Sequence, residues 1–228
     1  MPTGHEDARG KRLRARLAEA RLYLIVEAEP GGRSAAELLR AALAGGVDVV
    51  QLRDKSAGRD AILRAAELFR AICDEHAALF VVNDEPQLAL ECGADGVHVG
   101  QDDLTVERTR AIVGRAPLVG VSTHDPEQVD AALGSSADYL GVGPVHATPT
   151  KPGREPVGTA LVRLAAARGG KPFFAIGGID PGTVRDVVAA GARRVAVVRA
   201  IRDAADPRAS AAALRAALEL EDRLGAAR

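Results

Sequence analysis

Polar and charged residues fit for chemistry recur in this sequence at the ends of short apolar runs. In Gln51-Leu52-Arg53-Asp54-Lys55, extended backbone sends alternate side chains to opposite sides, so Gln51, Arg53 and Lys55 share one side and Leu52 takes the other. Two cations and an amide facing one space suit a polyphosphate, although the segment alone reads equally well as a solvated loop. Asn83-Asp84 and Gly100-Gln101-Asp102-Asp103 bring acidic residues to the ends of the next two runs. Carboxylates from neighbouring strand ends suit Mg2+, which takes one or two of them and completes its shell with substrate phosphate oxygens. Asp84 and Asp103 are the expected pair, and Asp102 is a candidate cap for a helix starting near Thr105.

Further along, Ser122-Thr123-His124 supplies hydroxyl donors. The segment 143–154 is long for a connection, which is itself a functional hint. In it Thr148, Thr150 and Lys151 offer two hydroxyls and an ammonium to a phosphate or diphosphate, with Pro149 and Pro152 as stiffeners. Gly177-Gly178 lets backbone amides approach a ligand closely because neither residue has a side chain. Val198-Arg199 opens a short helical turn. His98, His124 and His146 fall near successive run ends, so a three-histidine metal site competes. The accompanying carboxylates and cations suit phosphate chemistry better, with His98 packing beside the barrel and His146 lining the loop.

The elements that must position these residues are short β-branched runs alternating with helix-period segments, the pattern of parallel strands joined by crossover helices. The pattern predicts strands at 22–27, 48–53, 79–83, 96–99, 118–122, 139–142, 173–176 and 194–198. Helices are predicted at 35–44 (capped by Ser34), 60–76, 87–92, 105–113, 126–133, 159–167, 183–190 and 211–224. Glycines at Gly45-Gly46, Gly93 and Gly191 mark helix-to-strand turns at one end of the barrel, which puts the polar loops at the other, where active sites of such barrels sit. The expected fold is therefore α/β, a single (β/α)8 TIM barrel over 22–228, with residues 1–21 as a short N-terminal extension, helical over 12–20.

Composition agrees. At 228 residues the chain fits one such barrel, and with 3% aromatics and no Trp its core must be aliphatic. A net charge of −1 and few aromatics offer nothing to attract or stack nucleic acid. No run of 18 apolar residues or secretion signal is present, so the expectation is a cytoplasmic protein without a membrane partner. Cys73 and Cys92 read as small packing residues. A homo-oligomer is compatible with all of this.

The ordered set Gln51-Leu52-Arg53-Asp54-Lys55, Asn83-Asp84, Gly96 to Asp103, Gly120-Val121-Ser122, Thr148-Pro149-Thr150-Lys151 and Ile176-Gly177-Gly178-Ile179 resembles the thiamine phosphate synthase family, from about Tyr23 to the last strand. The resemblance implies a transferase that couples a pyrimidine diphosphate to a thiazole phosphate with release of diphosphate. It implies one Mg2+ per subunit on Asp84 and Asp103. It places the pyrimidine diphosphate against Gln51, Leu52, Arg53, Asp54, Lys55, Asn83, Ser122 and Lys151, with Arg53, Lys55, Ser122 and Lys151 catalytic. It assigns the thiazole phosphate to Thr148, Pro149, Thr150, Gly178, Val198 and Arg199. Arg199 stands where many members have Ser: if the contacts there are backbone amides the change is harmless or adds a cation, and if the hydroxyl matters the thiazole phosphate site loses a contact. A thiazole tautomerase of the same barrel and a catalytically silent binding homologue are the alternatives. The pyrimidine diphosphate loop, both aspartates and Lys151 separate the chain from the tautomerase.

Overall fold

Strand alternation decides which residues enter the barrel and which face the helices. The computed structural model describes residues 4–148 and 155–225. Among them are the strands β1 (Leu22–Val26), β2 (Val49–Leu52), β3 (Leu79–Asn83), β4 (Gly96–Val99), β5 (Leu118–Thr123), β6 (Tyr139–Val142), β7 (Phe173–Ile176) and β8 (Val195–Val197). They pair in parallel in sequence order, and β8 returns to β1 to close the barrel. Helix α1 (Gly4–Glu19) precedes β1. Then α2 (Ala35–Ala44), α3 (Arg59–Glu75), α4 (Pro86–Glu91), α5 (Val106–Val113), α6 (Pro126–Gly134), α7 (Gly158–Arg168) and α8 (Val184–Ala189) each join one strand to the next. After β8 come α9 (Arg199–Arg202) and α10 (Pro207–Gly225).

Leu22, Leu24, Val50, Leu52, Phe80, Val82 and their counterparts point outward into one large apolar layer beneath the helices. The alternate residues, Tyr23, Val49, Leu79, Val81, Leu118, Tyr139, Phe174 and Ala196, fill the barrel's interior. Residues one step further along the same inward rows, Gln51, Asn83, His98 and Ser122, therefore emerge at the upper mouth.

The lower mouth is closed by α1, which is longer than the predicted 12–20. Leu13 and Leu17 lie on one helical face and, with Ala20 just past the helix end, are buried against the interior cluster. Its arginines tie it down: Arg9 Nη2 donates to Ala94 O at 3.0 Å and Arg16 Nη2 to Ala77 O at 2.8 Å. The extension thus shares the barrel's core. Three residues among many arginines make too narrow a stripe for the sequence to announce that contact.

The same end carries a repeated staple. Asp48, Asp95 and Asp138 stand just before β2, β4 and β6, and each reaches back to the preceding strand. Their Oδ2 atoms accept from Leu22 N at 2.9 Å, Phe80 N at 3.0 Å and Val119 N at 2.8 Å. Each backbone N–H returns a bond to the same residue's carbonyl, at 2.9, 2.8 and 2.7 Å. Arg215, Arg70 and Arg110 then pair with the three carboxylates. Before β8 the corresponding residue is Arg194, whose guanidinium donates to Ala18 O near the end of α1, where a cation is favourable.

Candidate active site

The upper mouth opens into a cavity of about 360 Å3. Tyr23, Tyr139 and Phe174 lie at its base, with ring centroids 5.2 to 6.1 Å apart. Above them Gln51, Asn83 and Ser122 converge, and Gln51 Nε2 donates to Asn83 Oδ1 at 2.7 Å. Arg53 continues the inward row of β2 into the cavity wall. Leu52 points the other way, into the outer layer. Asp54 turns its carboxylate into its own loop, where Oδ1 accepts from Ser56 N at 2.9 Å, Ser56 Oγ at 2.7 Å and Ala57 N at 3.0 Å. Burial works against the charge, but these bonds hold Asp54 below the usual carboxylate range.

Beside the cavity, Asp84 sits at φ 62°, an uncommon backbone conformation for a residue with a side chain. Burial, and then the facing carboxylate of Asp103, push Asp84 above the ordinary carboxylate range. Lys55 Nζ, 3.3 Å from Asp84 Oδ2, offsets part of this. Asp103 Oδ2 also accepts from Gly100 N at 2.7 Å. Two facing carboxylates, one on a strained residue, fit a hard divalent cation that completes its shell with water or substrate oxygens. No cluster of three or more His, Cys, Asp or Glu able to hold a metal occurs among the described residues. The cap of α5 is Thr105, which accepts from Arg108 N at 3.3 Å, in place of the suggested Asp102.

Across the mouth, Thr148, Gly178, Val198 and Arg199 line the same cavity. Gly178 has φ +61°, and a Cβ there would lie 2.7 Å from His146 Cβ and 2.9 Å from Ala147 O. Only glycine lets the loops after β6 and β7 lie this close. Asp180 closes the β7 loop, accepting from Gly182 N at 2.8 Å and Thr183 N at 3.0 Å. Arg199 is exposed at the rim, and its charge helps Arg202 keep Asp203 below the usual carboxylate range. Pro149, Thr150, Lys151 and Pro152 lie outside the described residues.

A family model described as thiamine monophosphate synthase matches residues 22–201, the whole closed barrel and the start of the segment after β8. The chain belongs to the thiamine monophosphate synthase family. A thiamine-phosphate synthase of Saccharopolyspora erythraea is 53% identical over 214 residues, which cover 90% of this chain and 96% of that one. Another, from Gloeobacter violaceus, is 52% identical over 200 residues, covering 88% of this chain but 58% of the longer relative. A solved thiamine phosphate pyrophosphorylase from Pyrococcus furiosus superposes with a TM-score of 0.81 at 31% identity, over 91% of this chain and 98% of that one.

Within this family member the structure gathers Gln51, Arg53, Asn83, Ser122, Thr148, Gly178, Val198 and Arg199 around one cavity, with Lys55, Asp84 and Asp103 at its side. The side chains of Leu52 and Asp54 are directed elsewhere. His98 corrects the sequence reading: it does not pack beside the barrel but points inward, with Nε2 3.0 Å from Ser122 Oγ and Nδ1 3.2 Å from Tyr139 OH. Tyr23 and Tyr139 were likewise missed as site residues. The signal was available in alternation, since His98 pairs in register with inward Asn83 and Gly120.

Proposed function

We propose that this chain condenses 4-amino-2-methyl-5-(diphosphooxymethyl)pyrimidine with a (carboxy)thiazole phosphate, giving thiamine phosphate and diphosphate, as a pyrimidinylmethyl transferase of thiamine biosynthesis. Beside the family membership, the observation that carries this reading is the meeting of Asp84 and Asp103 with Lys55, next to a cavity that also holds Arg53 and three neutral polar side chains. Such a site binds a neutral polar ring at one end and a polyphosphate at the other. The bond from the pyrimidine methylene carbon to the diphosphate oxygen breaks, its electrons leaving with the diphosphate. The thiazole nitrogen lone pair then forms the new carbon–nitrogen bond. No proton has to be removed from that nitrogen, so no general base is needed.

The work of the protein is charge and position. Arg53 and Lys55, with Lys151 by resemblance, neutralise charge that grows on the leaving group, where fixed cations act most strongly. Asp84 and Asp103 would hold one Mg2+ per subunit, which when bound screens that same charge. Gln51, Asn83 and Ser122 orient the pyrimidine. Thr148, Gly178, Val198 and Arg199, with Pro149 and Thr150 by resemblance, hold the thiazole phosphate opposite, so that binding sets the two reacting atoms in line. We place the reaction in the cytoplasm. Two free cysteines support this, Cys73 buried and Cys92 half-buried, and no helix among the described residues is long and apolar enough to cross a membrane.

The test is thiamine phosphate formation from the two purified substrates with Mg2+, and again with a chelator. Wild type forms product. Asp103→Ala, Lys151→Ala and the chelated sample each lose about 100-fold or more. A well-folded wild type that forms none would point to the tautomerase or the silent binding protein.

A further inference from the structure

Six side chains form one unbroken hydrogen-bond chain at the base of the cavity. Gln51 Nε2 donates to Asn83 Oδ1 at 2.7 Å, and Tyr23 OH donates to Gln51 Oε1 at 2.9 Å. The two tyrosine hydroxyls are 3.1 Å apart. Tyr139 OH lies 3.2 Å from His98 Nδ1, and His98 Nε2 lies 3.0 Å from Ser122 Oγ. The strands β5 and β6 give up side chains where this chain passes. A Cβ on Gly120 would lie 2.1 Å from Tyr139 Cζ and 2.5 Å from His98 Nδ1, and one on Gly141 would lie 3.3 Å from His98 Cε1.

We propose that His98, Tyr139 and Tyr23 are positioning residues that fix the hydrogen-bonding senses of Asn83 and Ser122, so that the cavity offers one donor and one acceptor to the substrate's aminopyrimidine ring. The proposal deepens, and rests on, the functional reading above. A hydroxyl carries one proton and a neutral imidazole one N–H. Because Gln51 gives its amide N–H to Asn83, its oxygen must accept from Tyr23. The proton of Tyr23 is then committed, so Tyr139 donates to Tyr23, and His98 Nδ1–H donates to Tyr139. The bare Nε2 of His98 takes the proton of Ser122.

At the two ends, Asn83 is left showing its NH2 to the cavity, and Ser122 is left showing lone pairs. Turning every member round would exchange the two ends together, so with His98 neutral the chain, outside which the second N–H of Gln51 stands, couples a donor at one end to an acceptor at the other. That is the complement of a ring nitrogen beside an exocyclic amine. Burial raises both tyrosines above their ordinary range and keeps them neutral links. Asn83 and Ser122 sit on strands separated only by β4, with Ser122 one inward position above Gly120, which stands level with Asn83 through His98, and both side chains line the same cavity.

Tyr139→Phe keeps the ring and removes one link. It should raise KM for the pyrimidine diphosphate about tenfold, with KM for the thiazole phosphate unchanged and kcat within about twofold. Tyr23→Phe should do the same, and the double variant should be no worse than the worse single, because one broken link already frees both ends. In the ligand-free protein, 15N shifts should show His98 as a single tautomer, Nδ1–H, that becomes a mixture in Tyr139→Phe. Equal rises in both KM values, additive effects, or a mixture already present in wild type would each overturn the proposal. The tautomer measurement needs no turnover. A wild type that forms no product would therefore count against the functional reading, and the tautomer would still decide the chain.

Discussion

The two ends of the barrel use the same residue types to opposite effect. At the lower end, Asp138 accepts from Arg14 Nε at 2.8 Å, Arg110 Nη2 at 2.5 Å and Val119 N at 2.8 Å, so both its oxygens are satisfied by fixed donors. At the upper end, Asp84 is held in a strained backbone conformation facing a second carboxylate, and its close cation among the described residues, Lys55, is 63% exposed. The lower carboxylates complete the fold. The upper ones are left for something the fold does not supply, which is how stability and function come to occupy opposite faces of one scaffold.

The largest expected effect breaks the lower end. Asp138→Ala removes the partner of two arginines and of a strand amide, on a side chain 10% exposed. Leaving such charges unpaired costs about 3 to 5 kcal/mol. Chemical denaturation should show that loss, while activity per folded molecule stays within about twofold of wild type, because Asp138 itself does not line the cavity. A comparable fall in activity per folded molecule would mean the two ends are not independent.

A matched pair of glycines sharpens the contrast. Gly93 at the lower end and Gly178 at the upper have nearly the same backbone, φ +60° and +61°. A Cβ on Gly93 meets nothing within 4 Å, whereas one on Gly178 collides with His146 and Ala147. Gly93→Ala should cost about 1 to 2 kcal/mol, the strain of a left-handed residue. Gly178→Ala should cost about 2 to 4 kcal/mol, since the crowding adds to that strain, and should also weaken the thiazole phosphate. Thermal melts and KM for each substrate separate the two. Equal losses, with both KM values unmoved, would show that the upper loops simply spread apart.

What was legible in the sequence follows the same division. All the predicted strands and the crossover helices recur within a residue or a few, because alternation and helix periodicity are local patterns that Leu22 to Val197 display openly. Gln51, Arg53, Asn83 and Ser122 were legible too, being polar residues at the ends of apolar runs. Alternation put His98, Tyr23 and Tyr139 on the inward side, but the hydrogen-bond chain that joins them was not legible, since it runs across the barrel over sequence separations of 28 to 116 residues. The staples of Asp48, Asp95 and Asp138 escaped for the same reason: an aspartate after a helix-ending turn looks like turn chemistry until Arg215, Arg70 and Arg110 arrive from elsewhere in the chain. Thr150 and Lys151 were read from loop composition and lie outside the described residues.

The smallest effect is the most discriminating, because its sign is opposite to that at the lower end. Asp84→Asn should stabilise the metal-free protein by about 0.5 to 1 kcal/mol. Asn tolerates a positive φ as well as Asp does, carries no charge toward Asp103, and gives up only an exposed partner in Lys55. The sign with pH follows from the raised Asp84. The folded state keeps its proton to a higher pH than the unfolded state, so wild-type stability falls as pH climbs from the ordinary carboxylate value through the folded one. The advantage of Asn should therefore be full at neutral pH and vanish in acid below the ordinary carboxylate range. Paired melts of the two proteins across that interval, in chelator, measure it. Adding Mg2+ should raise the melting temperature of wild type and leave Asp84→Asn where it was, since only a site with both carboxylates gains from the cation. An Asp84→Asn protein less stable than wild type in chelator would mean that the upper carboxylates, like the lower ones, hold the fold together.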